Sequence, residues 1–389
     1  MTAIDEIDRK LQHFNVSDIT RDACMLRGRL RKQGYDWWWH NFTGVSEKTG
    51  EERAFFIEFF LINPGLAEEA PVLGQLPQNQ AAGKKPSYLM VKAGSWGRDK
   101  AQLHRFFAWK DIILNENAPF SVSADDCFCS EKELKGSVHI SEEEALAHPE
   151  WMCDAGDMEW NLAVDKQITF NVGPGAGKAL RDAEAFQMYW HAEGMKTAYS
   201  GTVIYNGETY RVSPERSFGY ADKNWGSDFT SPWVWLSSNC LYSEKQGREL
   251  KNSVFDIGGG RPKIFSLALD RTLLGVMYYE GEEYDFNFSK VPLHVKTEFS
   301  FREGDEDVFW RVRQENIHAV MDTQITCKKA DMLFVNYEAP DGQKRYSRLW
   351  NGGTGTGVVK LYDKAGNTLV LKDELRASHV GCEYGEYDA

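Results

Sequence analysis

Short runs of aromatic and β-branched residues recur along the chain, each ended by turn residues, and no long segment repeats apolar residues at helical spacing. Runs of this kind are buried by pairing as strands and closing into a sandwich or barrel. Residues 54–62 (AFFIEFFLI) read as a buried strand, and residues 36–42 (DWWWHNF) as the strand before it, with the polar turn 44–52 between them. Asn206-Gly207 between 202–205 and 208–212 is a type I′ hairpin signal. Further strands are predicted at 88–91, 103–109, 111–114, 154–171, 263–269, 275–279, 284–288, 309–313, 317–322, 332–337, 358–362 and 368–371. Helix is expected only at 4–14, which is amphipathic, and at 141–147, where Ser141 and Glu144 make a capping-box pattern. Residues 65–86 read as a long loop.

With 389 residues the chain can bury two cores. The glycine-rich break at 173–177 sets the expected boundary, giving units 1–180 and 181–389. The net charge of −13 argues against nucleic-acid binding and against attraction to anionic membranes. The charged start MTAIDEIDRKLQHF lacks a signal-peptide core, and no run is long enough for a membrane-spanning helix, so a cytoplasmic protein without membrane insertion is expected. Seven scattered cysteines read as reduced thiols. No metal is expected, because the histidines lack ligand spacing and Cys127-x-Cys129 has no second pair. The segment 173–178 is a residue short of a phosphate-binding loop, with Ala179 in place of its Ser/Thr, and Gly258-Gly259-Gly260-Arg261 lacks a following helix. Both read as plain loops.

The chemistry concentrates at 218–241, FGYADKNWGSDFTSPWVWLSSNCL. Trp233 and Trp235 alternate with Val234 and Leu236 as strand faces do, and the part before Pro232 reads as an irregular loop. A carboxylic acid among aromatic rings suits a reaction that forms a carbocation: the acid protonates an alkene and the rings face the cation. The structural alternative is a charged turn leading into an aromatic core strand. Trp37, Trp38 and Trp39 cannot share one face of a strand, so at least one lines a cavity, an interface or solvent. His40 and His191 each follow tryptophan and are either rim residues or bases facing a cavity.

Gly219, Tyr220, Asp222, Lys223, Asn224, Trp225, Gly226, Pro232, Trp233 and Trp235 resemble the central motif of the tocopherol cyclase family, which is related to the hydroxyneurosporene synthase (carotenoid hydratase) proteins. Asp222 stands where the family more often has Glu. The 36–39 element, Met188-Tyr189-Trp190 with Ser200-Gly201 and Asn206-Gly207, and the ending around Gly381, Glu383 and Gly385 are similar too. The resemblance implies an all-β fold of two lipocalin-like antiparallel β-barrels with a few short helices. It implies a cofactor-free cyclase or hydratase acting on a prenylated aromatic or isoprenoid, with an apolar small molecule as partner. Asp222 or Asp36 would be the acid, and His191 or His40 the proton acceptor. Tyr220, Trp225 and Trp233 would face the cation. Trp37, Trp38, Trp39, Trp190, Lys223, Asn224 and Trp235 would complete the binding surface. A lipocalin-type interior has room for one apolar ligand, so a carrier or a pericyclase is the rival expectation. The oligomeric state is not readable from the sequence.

Overall fold

The computed structural model describes residues 19–170, 186–261, 263–264, 267–268, 272–288, 293–343, 349–366 and 368–386. The 4–14 helix and the 173–178 segment lie outside the described residues. Two large antiparallel sheets form the molecule, each curled into a lipocalin-like barrel. The first runs from Ala101–Phe107 through Tyr88–Ser95, Glu52–Ile62 and Tyr35–Ser46. Glu208–Val212 and Gly219–Gly226 come next, pairing with successive parts of Tyr35–Ser46. Met188–Tyr205, Gly156–Phe170, Glu133–Ile140 and three short strands follow. The starting edge is tied back by the Asp154 N–H to the Gln102 carbonyl (2.8 Å) and by His104 Nδ1 donating to the Trp151 carbonyl (2.6 Å).

The second sheet runs Glu282–Asp285, Thr272–Tyr279, Ser253–Gly260, Trp233–Ser238, Thr368–Gly385, Leu349–Ala365, Ala319–Lys328, Asp307–Glu315 and Lys296–Glu303. Asn316 Nδ2 donates to the Asp285 carbonyl (2.7 Å) and Gln314 Nε2 to the Leu273 carbonyl (3.0 Å), joining its two sides.

Three apolar clusters result. One fills the first barrel around Trp38, Phe42, Phe55 and Phe59, with Cys24, Leu26 and Leu30 inserted into it. Another fills the second around Val234, Leu236, Phe255 and Trp310. The third lies between the barrels and takes residues from both sheets, among them Trp37, Trp39, Trp190, Tyr220, Trp233, Trp235 and Tyr337. The interiors are therefore packed with side chains, and the aromatic surplus forms a central layer.

Much of the predicted pattern is present. Asn206 and Gly207 both have positive φ (48° and 79°), as a type I′ turn requires. Ser141 caps Glu142–Ala147 with both capping-box bonds. Three expectations change. Gly219–Gly226 is a fully buried strand rather than a loop, because alternation sends its charged residues to opposite faces where each finds a partner. The three glycines at 258–260 end the strand Ser253–Gly260 instead of forming a loop. The change of sheet falls between Gly226 and Trp233, since Met188–Gly226 hydrogen-bonds into the first sheet; a boundary at 180 would split that sheet. The 65–86 segment also carries the short helix Pro77–Ala81.

Asn63 ties the barrels together at one end. It sits at φ 45°, accepts from the Gly34 N–H (2.9 Å), and donates to the carbonyls of Pro86 (2.8 Å) and Pro340 (2.9 Å). Asn63→Ala strands buried backbone groups and places alanine in a left-handed conformation. The expected loss is about 3 kcal/mol, seen as a lower urea midpoint with unchanged m-value. A loss of stability below about 1 kcal/mol refutes this bridging role.

Candidate active site

Strand alternation builds the site. On Gly219–Gly226, Tyr220, Asp222 and Asn224 face the central layer, while Ala221, Lys223 and Trp225 face the first barrel's interior. Its neighbour presents Trp37 and Trp39 to the layer and Asp36, Trp38 and His40 to the interior. Met188–Tyr205 likewise presents Trp190 to the layer and Tyr189 and His191 inward. From the second sheet come Trp233, Trp235, Asp256 and Glu383.

Here two carboxyl groups, one from each sheet, meet over one phenol. Tyr220 Oη lies 3.3 Å from Asp222 Oδ2 and 3.1 Å from Asp256 Oδ2. Each acid also receives an indole N–H: Trp190 Nε1 donates to Asp222 Oδ2 (2.7 Å), and Trp235 Nε1 to Asp256 Oδ1 (3.1 Å). A third acid follows the same pattern, with Trp233 Nε1 donating to Glu383 Oε2 (2.6 Å) and Asn351 to its other oxygen. Further along, Glu58 pairs with Lys92 (2.9 Å) and accepts from Tyr337 Oη (3.0 Å), while the Lys92 ammonium lies 3.5 Å from the Tyr337 ring centroid.

Burial dominates the electrostatics. It lifts Asp222 well above the ordinary carboxylate range, aided by Glu383 and Glu58 and opposed by the Trp190 and Tyr220 hydrogen bonds. Asp256 is lifted well above by burial, then by the charge of Asp222. Glu383 is pushed up to about 7, again by burial first. Burial thus disfavours negative charge on all three acids, which are wrapped in rings. Tyr220 leans on Trp235 with centroids 4.9 Å apart, and Trp190 meets Trp233 edge-on at 6.5 Å.

Glycines set these rings. A Cβ on Gly258 would lie 2.8 Å from Trp190 Cζ3, and one on Gly381 would lie 2.2 Å from Trp235 Cη2. The indoles that hold Asp222 and Asp256 therefore each bring their benzo edge against backbone that only glycine leaves clear. A cavity of about 40 Å³ opens beside Trp190 and Trp233, lined also by Met188, Leu274 and Phe288. Larger clefts, of about 370 Å³ beside Phe218 and Asn239 and about 500 Å³ beside His104 and Trp151, lie elsewhere; none of the three acids lines these clefts or the small cavity, which reaches Asp222 only through Trp190.

The sequence-derived site is thus divided by the first sheet. Trp37, Trp39, Trp190, Tyr220, Asp222, Asn224, Trp233 and Trp235 come together in the layer. Asp36, Trp38, His40, His191, Lys223 and Trp225 lie on the other face. There Lys223 is ion-paired with Asp36, 4.0 Å from the Trp38 ring centroid, and Trp225 stacks on Tyr189 at 5.4 Å. Burial raises Asp36 to about 6 despite that partner. His40 bonds Tyr199 Oη (2.8 Å), and burial lowers it to about 3. His191 contacts Asp22 (3.0 Å), and burial lowers it too. Trp225, expected at the cation, is turned away from Asp222 because the two are an odd number of residues apart.

Sequence reasoning missed Asp256 and gave Glu383, Glu58 and Lys92 no role. The available signal was an acid at an alternating position in an apolar strand, as in Val254-Phe255-Asp256-Ile257. Among the described residues no His/Cys/Asp/Glu group is arranged to hold a metal ion, and no helix is long and apolar enough to cross a membrane.

Residues 180–385 match the family described as tocopherol cyclase-like. No curated protein matches the chain. Among solved structures, the chain is similar to a protein designated AttH from Nitrosomonas europaea (11% identity, TM-score 0.46), covering 96% of this chain and 98% of that one. It is also similar to kievitone hydratase from Nectria haematococca (11% identity, TM-score 0.45, 96% of each chain).

The raised acids fix a sign for pH dependence. Glu383 titrates near its ordinary 4.5 when unfolded and at about 7 when folded, so between these values the folded state binds more protons. Its contribution is full below about 4.5 and lost as pH rises towards about 7, on the order of 3 kcal/mol. Urea unfolding from pH 4.5 to 8 is expected to show stability falling over that window, with a shallower fall in Glu383→Gln. An identical slope in the variant contradicts the assignment.

Proposed function

The chain belongs to the tocopherol cyclase-like family, and from that premise we propose that it is a cyclase or hydratase acting on a prenylated apolar molecule by alkene protonation. One observation carries the reading: Asp222 is a buried acid, held by Trp190 and lifted by burial above the ordinary carboxylate range, within an aromatic layer built by both barrels. Trp190 and Tyr220 hold its carboxyl in place, so the proton is presented in a fixed direction.

In this reading Asp222 gives its proton to the less substituted alkene carbon, leaving a tertiary cation. The faces of Trp190, Trp233 and Tyr220 stabilise that cation, and Trp37, Trp39 and Trp235 extend the wall. A phenol oxygen of the substrate then closes a ring, or water adds. Asp36 is a weaker choice of acid, because it neutralises Lys223 inside the first barrel. His40 and His191 are separated from Asp222 by the sheet, which weakens the case for either as proton acceptor. The small cavity beside Trp190 and Trp233 gives the substrate a place against both rings.

The test uses a prenylated hydroquinone in deuterated water with mass spectrometry of the product. Product carrying one carbon-bound deuterium is expected. Asp222→Asn should slow turnover by roughly 10²–10⁴ while quenching of tryptophan fluorescence by the same compound is kept. Full turnover by folded Asp222→Asn ends the reading at this residue. Binding without turnover by the unsubstituted protein makes the layer a carrier site.

A further inference from the structure

The geometry at Tyr220 demands a proton between the two aspartates. The phenol has one hydrogen, yet its oxygen lies within hydrogen-bond distance of both Asp222 Oδ2 and Asp256 Oδ2. If Tyr220 donates to one carboxyl, the other contact is a hydrogen bond only when that carboxyl carries its own proton and donates to the phenol oxygen. The donors on either side are already directed: Trp190 Nε1 to Asp222 and Trp235 Nε1 to Asp256. The arrangement places one hydroxyl between two acids, across the seam of the barrels.

We propose that Asp222, Tyr220 and Asp256 form a closed proton circuit, in which Asp222 donates to the substrate, Asp256 accepts from it, and Tyr220 carries the proton back. This rests on the alkene-protonation reading and assigns the proton acceptor that reading lacks. The resting pair holds one ionisable proton, on Asp222, with Asp256 as carboxylate. In the forward step the Asp222 O–H bond breaks as a C–H bond forms at the alkene. The attacking hydroxyl forms the C–O bond, loses its O–H bond, and passes that proton to Asp256. In the reset, Asp256 protonates the Tyr220 oxygen as Tyr220 releases its own hydrogen to Asp222. No electron is gained or lost, and no proton is taken from solvent. This suits the reaction class, since ring closure and hydration are both isoprotic overall.

The surroundings favour one shared charge. Two carboxylates bridged by a single phenol repel, so the second ionisation is opposed. The groups facing the pair are Tyr220 beside Asp222, Trp190 from Met188–Tyr205, Trp235 and Ser237 from Trp233–Ser238, and, at longer range, Glu383 and Glu58 with its partner Lys92. The acids among them push against further negative charge.

Tyr220→Phe keeps the ring that faces the cation and the Trp190 hydrogen bond on Asp222, and removes the hydroxyl that the reset needs. With a prenylated hydroquinone as probe, folded Tyr220→Phe is expected to release about one product per site in a burst. Steady turnover should then be at least roughly tenfold slower than the unsubstituted rate. Asp256→Asn is expected to lose roughly 10²-fold or more with no burst, and to lose the acidic limb of the pH–rate profile. A substrate-free arm keeps the circuit separable from the reaction assigned to it. In infrared spectra at neutral pH, the acid C=O band that disappears in Asp222→Asn should shift in Tyr220→Phe and in Asp256→Asn. Unchanged steady turnover in Tyr220→Phe or Asp256→Asn, with Asp222→Asn inactive, overturns the circuit and leaves the alkene reading standing. An acid band unmoved by Tyr220→Phe overturns the circuit even if the probe is never turned over. If the band behaves as expected but no variant or parent turns the probe over, the proton pair stands and the substrate class falls.

Discussion

Strands buried on both faces must provide for every polar group they carry. Gly219–Gly226 is the extreme case: all of its residues are buried, and three in a row are Asp222, Lys223 and Asn224. Alternation distributes them, with Lys223 to Asp36 in the first barrel, Asp222 to Trp190 and Tyr220 in the layer, and Asn224 to Tyr35 (3.0 Å). An unpartnered charge here would cost several kcal/mol. The tryptophans answer that need in two ways. Their rings fill the gap between curved sheets, and their indole N–H groups, which only donate, meet the carboxyl groups. The same residues therefore make the layer apolar and hold its acids.

The placement of cations follows a related division. Lys223 stands against Asp36 on the interior face, and Lys92 against Glu58 at one side of the layer, each also over an aromatic ring. Asp222 and Asp256 are given a phenol and two indoles. A cation in that position would ionise both acids and compete for the ring faces. Neutral donors leave the proton on the carboxyl and the rings open to a substrate cation.

The fold was legible wherever local chemistry decides it. The Asn206-Gly207 turn, the Ser141 cap and the run at 54–62, apolar except for Glu58, each specify their structure within a few residues. The argument that adjacent tryptophans diverge was also correct, since Trp38 enters the barrel while Trp37 and Trp39 enter the layer. Half the site was legible for the same reason, from Tyr220, Asp222, Trp233 and Trp235. What failed was the reading of polarity as exposure. Asp222-Lys223-Asn224 looked like a turn because its partners come from segments far away in sequence. Asp256 escaped notice because its significance lies in a residue of the other sheet, and the glycines at 258–260 read as breakers although one of them is the floor under Trp190.

One feature of the acid pair bears on how the molecule assembles. Asp222 is contributed by the first sheet and Asp256 by the second, and Glu383 of the second sheet is bonded to Trp233 within the same seam. Before the sheets meet, these carboxyl groups face water and titrate as ordinary acids, ionised at neutral pH. Closing the seam raises their affinity for protons. Docking of the two halves is therefore coupled to proton uptake, and an alkaline medium works against their union even where each barrel's own core is unaffected.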